Sequence, residues 1–554
     1  MAGALRVPRL RRPARPPAAL LLAAAAFLLF TLGLGRGSLW DQDEPRYTDI
    51  ARQITERGDP ITLYHNGEPW FVHPPLYMWL VAATGWLLGF SEFTARIWTS
   101  LFGTGGVLVT FLLGRRLYGA HAGLVAGLIV MTTLEYFVLS RLAIFDVVLV
   151  TFMLAALYMV LAAEEADAAG RRRALRWAFV WAGLATLTKG PIGLLLPAMA
   201  VGAWWLWRGV LVARLRALPA EGLLLYAVIG LSWYALEAAR HGLPFLQRMV
   251  GYYMVGRFFG VVENQPGPWY YYLPVLALGG FPWSALFPSL AVYHGRRFRR
   301  DPRSLLLLIW IGVTVLFYSA AGTKLPNYVL PVFPVAAIAA GPVWVRAIWE
   351  RDTEAAGLVR WGAGLLLLGG LALGTAVMIF GQMKYPAEFA AVAPHLRRLG
   401  VMLAVGVVVA ALFLAARAYR QGFAVLTATM VATLLTVALA TVPHLERLRA
   451  TKPMALALRA VVRPEDKVVG IGLSDRASLV YYGRHPIIWL VGVESLARRN
   501  LCGPRRGFLI ITRAEYERWA RGAFAGELIT LRELGDMVLL ETAAPLPCPP
   551  APSS

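Results

Sequence analysis

Long apolar runs alternate with short polar loops along most of the chain. These runs begin near residues 18, 93, 121, 147, 174, 191, 222, 270, 304, 327, 358, 399 and 421. A helix needs about 20 mainly apolar residues to cross a bilayer, so the pattern predicts about thirteen transmembrane helices. A shorter run, Pro75 to Phe90, and an amphipathic segment, Arg46 to Arg57, are predicted to be helices lying flat at the interface. They would form the first outer loop, residues 37–92.

Arginine clusters separate the apolar runs. Seven occur, at Arg6 to Arg15, Arg115–Arg116, Arg171 to Arg176, Arg208 to Arg216, Arg296 to Arg303, Arg346 to Arg360 and Arg417–Arg420. Loops rich in Lys and Arg stay in the cytoplasm, so all seven clusters are predicted to lie there, with Arg397–Arg398 as the one exception between spans. The sequences DQDEPRY, RLAIFD, TKGP and GTKLPNY would then face the opposite side, and an odd number of spans would place the C-terminus there too.

Composition supports an integral membrane protein. The chain has 554 residues, of which 58% are hydrophobic, against about 45–50% in soluble domains. The formal net charge of +22 does not indicate nucleic-acid binding, because the excess lies in short loops beside apolar runs. The first run, Ala18 to Gly35, has no clear cleavage site and is long for a signal peptide, so we interpret it as the first span.

The pattern changes near Pro443. Short β-rich runs (VVGIGL, PIIWLVGV, GFLIITR and DMVLLET) are bounded by turn signals, and EYERWA reads as a helix between two of them. We therefore predict a transmembrane domain over residues 1–442, a small α/β domain over 443–543 outside the cytoplasm, and a Pro-rich disordered tail over 544–554. Cys502 and Cys548 would form a disulfide if this region is exported, and the sequence leaves that open.

Acidic residues stand out at two places on the predicted outer side. Asp41, Asp43 and Glu44 place three carboxylates within four positions, which suits a general base or a cation site, although Asp43 and Glu44 also suit the first turn of a helix. Asp146 begins the fourth span among apolar neighbours. An acid in that position is either functional or paired, and Arg141 is the nearby candidate partner.

Cations on the same side break the charge rule. Lys189 in TKGP, Lys324 in GTKLPNY and Arg257 in the long outer loop need another reason to be outside. A substrate phosphate supplies one, and anchoring at the interface is the alternative. His73, with Glu263, is a weaker candidate for a metal pair, since a lone histidine is more often structural.

These motifs resemble one family. DE-x-RY after the first span, the acid of the fourth span, TKGP, RF followed by P-WYY-LP, and KLPNYVLP are similar to motifs of the ArnT and protein O-mannosyltransferase family of C-type membrane glycosyltransferases, over residues 38 to 345. The resemblance implies a sugar donor on a polyprenyl phosphate, used at the periplasmic face of a bacterial inner membrane. It implies these roles: Asp43 and Asp146 as catalytic carboxylates with Glu44 beside Asp43, Lys189 and Arg257 on the donor phosphate, Tyr328 with Lys324 at the lipid site, and Arg46 and Tyr47 in the motif of Asp43.

Two departures leave the substrates open. The chain has His73-Pro74-Pro75 where aminoarabinose transferases carry Glu-Lys-Pro, and Glu263-Asn264 where they carry a histidine. The resemblance therefore implies transfer to a lipid A-like or other envelope acceptor, with inversion, and leaves a divalent metal open. A protein O-mannosyltransferase is one alternative. A transporter of lipid-linked sugars is another, although transporters favour internal repeats and polar residues near the midplane.

Overall fold

The computed structural model describes residues 16–384, 386–473, 476–491 and 494–548, so the cluster Arg6 to Arg15 lies outside the described residues. The chain forms two compact units. One contains residues 1–34, 71–77 and 96–441, and the other contains residues 35–70, 78–95 and 442–554. Most of the first outer loop, which the sequence assigned to the transmembrane domain, thus groups with the C-terminal region.

The first unit is helical. Its helices are α1 (Pro16–Thr31), α5 (Ala120–Met131), α6 (Leu134–Leu139), α7 (Asp146–Glu165), α8 (Ala168–Lys189), α9 (Ile192–Trp207), α10 (Leu211–Arg216), α11 (Ala220–Phe259), α12 (Tyr272–Gly279), α13 (Trp283–Gly295), α14 (Pro302–Ala320), α15 (Pro326–Glu350), α16 (Thr353–Lys384), α17 (Pro386–Ala415) and α18 (Tyr419–Glu446). Helices α3 (Leu76–Leu88) and α4 (Glu92–Tyr118), like the last residues of α18, extend across the boundary, so these three helices have residues in both units.

Among the described residues, eight helices are long and apolar enough to cross a membrane, or nine if α12 and α13, bent by 115°, form one broken span. A helix occupies each of the thirteen predicted positions, but α1, α5 and α9 are shorter, and α8 carries several arginines. The multi-span helical architecture is confirmed, whereas the count of thirteen stays a prediction.

A helical hairpin brings two distant sequence motifs to one end of the first unit. Helices α7 and α8 have 20 and 22 residues, about 30 Å each at 1.5 Å per residue. They are joined by Ala166 and Asp167, whose Oδ1 accepts the N–H of Gly170 at 2.8 Å and caps α8. The start of α7 and the end of α8 therefore lie at the same end, about one bilayer thickness from the arginines that open α8.

The second unit combines a sheet with short helices. Its elements are α2 (Asp43–Arg57), β1 (Tyr64–His65), β2 (Glu68–Pro69), α19 (Thr451–Val461), β3 (Lys467–Ile471), α20 (Ala477–Gly483), β4 (Ile488–Leu490), α21 (Glu494–Leu501), β5 (Gly507–Thr512), β6 (Leu528–Leu534) and β7 (Met537–Thr542), with a helical stretch at residues 513–523. The five-stranded sheet has the order β4-β3-β5-β7-β6, with β3 parallel to β4 and β5, and β7 antiparallel to β5 and β6.

The sheet and the EYERWA helix were predicted, and β6 was missed. The tail beyond residue 543 is also more ordered than expected over its described part. Cys548 pairs with Cys502 with their Cα atoms 4.9 Å apart. Leu546 is buried, and its carbonyl accepts the N–H of Gly503 at 3.0 Å. These contacts tie residues 546–548 to the domain core.

Both predicted loop helices exist, as α2 and α3. Helix α2 is amphipathic, as predicted, and nine of its 15 residues are buried. Its inner face carries an ionic cluster in which Arg52 pairs with Asp49, while His65 Nδ1 lies 3.0 Å from Asp49 Oδ2. Arg52 also donates to the carbonyl of Tyr481 on α20 at 3.1 Å. Buried charges require such partners, so α2 is fixed as part of the second unit.

Candidate active site

A partly buried ion pair joins the two ends of the hairpin. The Lys189 ammonium donates to Asp146 Oδ1, and Asn327 Nδ2 donates to Asp146 Oδ2 at 2.8 Å. Asp146 lies in the first turn of α7 and Lys189 in the last turn of α8, where each charge is favoured by the dipole of its own helix. Both oxygens of the carboxylate are thus occupied, and Arg141 is not the partner. Arg141 donates instead to the carbonyls of Leu29 and Phe30.

Aromatic rings enclose the Lys189 ammonium. The Nζ atom lies 5.5 Å from the ring centre of Phe145 and 5.0 Å from that of Tyr328. Tyr328 in turn packs on Tyr318, with ring centres 4.9 Å apart. A cation is attracted to ring faces at this range. Asp146, Phe145 and Tyr328 therefore hold the ammonium in one place, so that it can meet an anion without reorganising.

A backbone ladder holds Arg257 beside the loop after α14. Gly322 N–H donates to the carbonyl of Phe258 at 2.7 Å, and Thr323 N–H donates to that of Arg257 at 3.2 Å. Thr323 Oγ1 donates to the carbonyl of Gly260 at 3.0 Å. A Cβ on Gly322 would come within 2.4 Å of that same carbonyl oxygen, so the close approach requires glycine. The guanidinium of Arg257 pairs with Glu263.

A cavity of about 410 Å³ opens beside these groups. Lys189 and Arg257 line it together with His73, Thr323 and Tyr328. The remaining wall is mostly apolar and includes Ile192, Leu195, Met249, Val255, Phe258, Phe259 and Phe317. An apolar chamber with two cations in its wall suits an amphiphile that carries an anionic group next to a hydrocarbon chain.

Lys324 does not line this cavity. Its buried ammonium donates to the carbonyls of Ser319 at 2.8 Å and Ala321 at 2.6 Å, at the end of α14. Carbonyls at a helix C-terminus have no partners within the helix, and a cation there satisfies them. Burial lowers the pKa of the Lys324 ammonium. The residue fixes the loop that carries Thr323 and Asn327.

The candidate metal pair is not assembled. Glu263 is bonded to Arg257, while the His73 ring packs edge-on against Phe145 with centres 4.9 Å apart. Within the described ranges, no group of three His, Cys, Asp or Glu side chains could hold a metal ion. His73 contributes to the wall of the cavity instead.

The DE-x-RY residues lie in the second unit. Asp43 is partly exposed in the first turn of α2, with its Oδ1 atom 3.8 Å from Arg46 Nη1. Glu44 is fully buried and accepts the N–H of Trp40 at 2.8 Å. The Tyr47 ring packs edge-on against Trp70. Glu44 thus has a capping contact, whereas Asp43 keeps an accessible carboxylate.

Sequence reasoning missed Asn327, Thr323 and Tyr318. Asn327 and Thr323 belong to the GTKLPNY motif, and that motif drew attention to Lys324 and Tyr328 alone. An amide on the second oxygen of Asp146 cannot be deduced without the fold, because 181 positions separate the two residues.

The helical bundle defines a polytopic membrane protein, and its cation-lined apolar cavity would suit an amphiphilic anion. Comparison with known proteins narrows this class. The family model described as dolichyl-phosphate-mannose-protein mannosyltransferase matches residues 72–236. The undecaprenyl phosphate-alpha-4-amino-4-deoxy-L-arabinose arabinosyl transferase of Pectobacterium carotovorum is 30% identical over 366 residues, which cover 64% of this chain and 63% of that protein. The enzyme of the same name from Pectobacterium atrosepticum is 31% identical, with the same coverage of both chains.

A solved structure shares the fold. The crystal structure of ArnT from Cupriavidus metallidurans bound to undecaprenyl phosphate superposes with a TM-score of 0.78 and 23% identity, over 97% of this chain and 100% of that one. The chain aligns with less than two thirds of the length of the two Pectobacterium proteins. The resemblance to ArnT-like C-type membrane glycosyltransferases, inferred above from sequence motifs, is confirmed.

Proposed function

We propose that the protein transfers a sugar from a polyprenyl-phosphate donor to a lipid or other envelope acceptor on the outer face of the cytoplasmic membrane. The observation that carries this proposal is the cavity in which Lys189 and Arg257 meet an apolar wall. A polyprenyl phosphate has an anionic phosphate, which matches the two cations, and a hydrocarbon chain, which matches the apolar wall. The names of the relatives support the same donor class, since both refer to undecaprenyl phosphate.

The cations would act on the leaving group. The bond between the anomeric carbon and the phosphate oxygen breaks, and its electron pair stays on the phosphate, which gains charge as it leaves. Lys189 and Arg257 would meet that charge in a largely apolar site, where such stabilisation is strongest. Asp146 and Asn327 would act by positioning, because they hold Lys189 in place before the donor arrives.

Asp43 would act on the acceptor. A new bond forms between an acceptor oxygen and the anomeric carbon, and the acceptor proton passes to the Asp43 carboxylate as general base. One displacement of this kind inverts the anomeric carbon. Asp43 is the better candidate than Glu44, because the Glu44 carboxylate is buried and bonded to the backbone of Trp40.

Two features support an outer location for the site. The pair of Asp146 and Lys189 lies at the opposite end of the α7–α8 hairpin from the arginines of residues 171–176, which are expected in the cytoplasm. The disulfide between Cys502 and Cys548 supports an oxidising compartment for the second unit, which contains Asp43.

Reconstitution tests the proposal. Purified protein in liposomes should transfer sugar from an undecaprenyl-phosphate donor, and mass spectrometry of envelope lipids and glycans with and without the protein should reveal the product. Movement of the lipid-linked sugar between leaflets with no transfer would support the transporter alternative.

A further inference from the structure

A second cavity, of about 190 Å³, lies within the second unit. Its charged and aromatic lining residues are Arg52, Glu92, Lys452, Arg459, Arg484, Phe90, Tyr481 and Tyr482. Four cations therefore face one carboxylate. The volume equals that of about six water molecules in the liquid, which is enough for a small anionic headgroup.

The four cations differ in whether a carboxylate already pairs with them. Arg52 is buried and paired with Asp49, while Lys452 is paired with Glu92, with Nζ and Oε1 2.5 Å apart. Arg459 and Arg484 are exposed and form no ion pair within the described part of the chain. The charges of Arg52 and Lys452 are thus balanced within the unit, whereas Arg459 and Arg484 remain available to a ligand.

Local structure explains why these cations converge. Lys452, Leu456 and Arg459 are spaced by four and three residues on α19, so they share one face of that helix. Arg484 is the C-cap residue that directly follows α20, and its φ of 53° is in the left-handed region. Arginine is the side chain best suited to phosphate, because its planar guanidinium can donate two parallel hydrogen bonds.

An exposed apolar ridge precedes the pocket in the chain. Trp86, Leu87 and Leu88 at the end of α3 are 73%, 67% and 73% exposed. Phe90, two residues after this ridge, lines the pocket. Leu456 in the pocket wall is also exposed. Exposed tryptophan and leucine next to a basic pocket are typical of a surface that enters a lipid interface.

We propose that this pocket binds the phosphate headgroup of an anionic membrane phospholipid, while the ridge of Trp86, Leu87 and Leu88 enters the acyl region beside it. Arg459 and Arg484, whose charges are not balanced by an ion pair within the described residues, disfavour a zwitterionic headgroup, whose ammonium they would repel. The ridge favours a lipid over free phosphate, because a free anion has no apolar part to bury. The site is separate from the donor cavity and does not depend on the proposed reaction.

Native mass spectrometry of the full chain tests this site, with phosphatidylglycerol as the probe. Each cation near an anionic surface is worth about 1 kcal/mol, so Arg459→Ala/Arg484→Ala should weaken one phosphatidylglycerol site by about 30-fold. Arg463→Ala/Arg521→Ala removes two exposed arginines of the same unit outside the pocket and should leave that site unchanged. Trp86→Ala/Leu88→Ala should weaken phosphatidylglycerol but not glycerol phosphate.

Two further measurements distinguish an anionic lipid from a zwitterionic lipid and from free phosphate. Phosphatidylcholine should not occupy the site, and inorganic phosphate should not displace phosphatidylglycerol at equal concentration. Equal losses in the two double-arginine variants would overturn the proposal. Equal binding of phosphatidylcholine, or full competition by inorganic phosphate, would do so as well. An unchanged melting temperature of each variant in lipid-free detergent shows that folding is intact.

Discussion

Asp146 and Lys189 are 43 positions apart in sequence and form a partly buried ion pair because α7 and α8 make a hairpin of nearly equal arms. The pair links the acid at the start of the fourth span to the TKGP motif. It places a held ammonium in the wall of an apolar cavity, and the proposed chemistry depends on that placement.

Removing one partner of this pair should be costly. Asp146→Ala leaves the partly buried Lys189 charge without its carboxylate. Loss of one partner of a fully buried pair typically costs about 3–5 kcal/mol, which is the upper limit for this partly buried pair. The double change Asp146→Ala/Lys189→Met should recover much of the stability, because no unpaired charge remains, but it should not recover transfer. The unfolding midpoints of the unchanged protein, Asp146→Ala and the double variant measure stability, and their turnover measures transfer. Recovery of transfer in the double variant would show that the ammonium is not needed.

Gly322 should control donor binding without touching the donor. A β-carbon there would lie 2.4 Å from the carbonyl oxygen of Gly260. It would push apart the two hydrogen-bonded backbone segments that position Arg257. We expect Gly322→Val to raise the donor KM by about 30-fold or more, as Arg257→Ala should, since loss of a charged contact costs about 2–4 kcal/mol. Gly312→Ala is the matched control, because its β-carbon has no atom within 4 Å. A normal donor KM in Gly322→Val would refute this role of the ladder.

Lys324 should matter for folding rather than for donor recognition. Its ammonium bonds to carbonyls at the end of α14 and is absent from the cavity wall. Lys324→Met should lower stability by about 1–3 kcal/mol through unsatisfied buried carbonyls. Donor KM of the folded fraction should stay within about threefold of the normal value, because no donor contact is lost. A large rise in donor KM with normal stability would restore the sequence-based prediction of a phosphate ligand.

Sidedness can be read with introduced cysteines. Cys502 and Cys548 are bonded to each other, so the natural thiols should not react with a membrane-impermeant reagent. In cells with a permeabilised outer membrane, Glu517→Cys in the second unit should be labelled and Arg172→Cys at the start of α8 should not, because arginine clusters stay inside. The reverse pattern would invert the topology and place the proposed site in the cytoplasm.

Several parts of this architecture could be predicted from the sequence because they depend on local periodicity. The membrane helices and the C-terminal sheet were predicted in that way. The candidates Asp146, Lys189 and Arg257 were chosen because a charge is unexpected at their positions, and their roles stay predictions. The strand β6 was missed because its residues are mostly exposed and include charges, which weakens the apolar signal.

Partners were harder to predict than candidates. Arg141 lies five residues from Asp146 and was the natural choice, yet it is used by the carbonyls of Leu29 and Phe30. The actual partners, Lys189 and Asn327, come from other helices. The role of Lys324 likewise depends on the direction of its side chain. A motif shows that a cation is present but not where its ammonium points.

Turnover by Asp43→Asn in reconstituted protein is the most direct test of the proposed transfer. The change keeps the shape of the side chain and removes its charge, and asparagine caps a helix about as well as aspartate. If Asp43 is the general base, transfer should fall by about 100-fold or more while donor binding and stability persist. Asp41→Asn should affect transfer less, because Asp41 is engaged with Ser478 within the second unit. Near-normal transfer by folded Asp43→Asn would contradict the account and leave Asp43 as an acidic residue that only favours the first turn of α2.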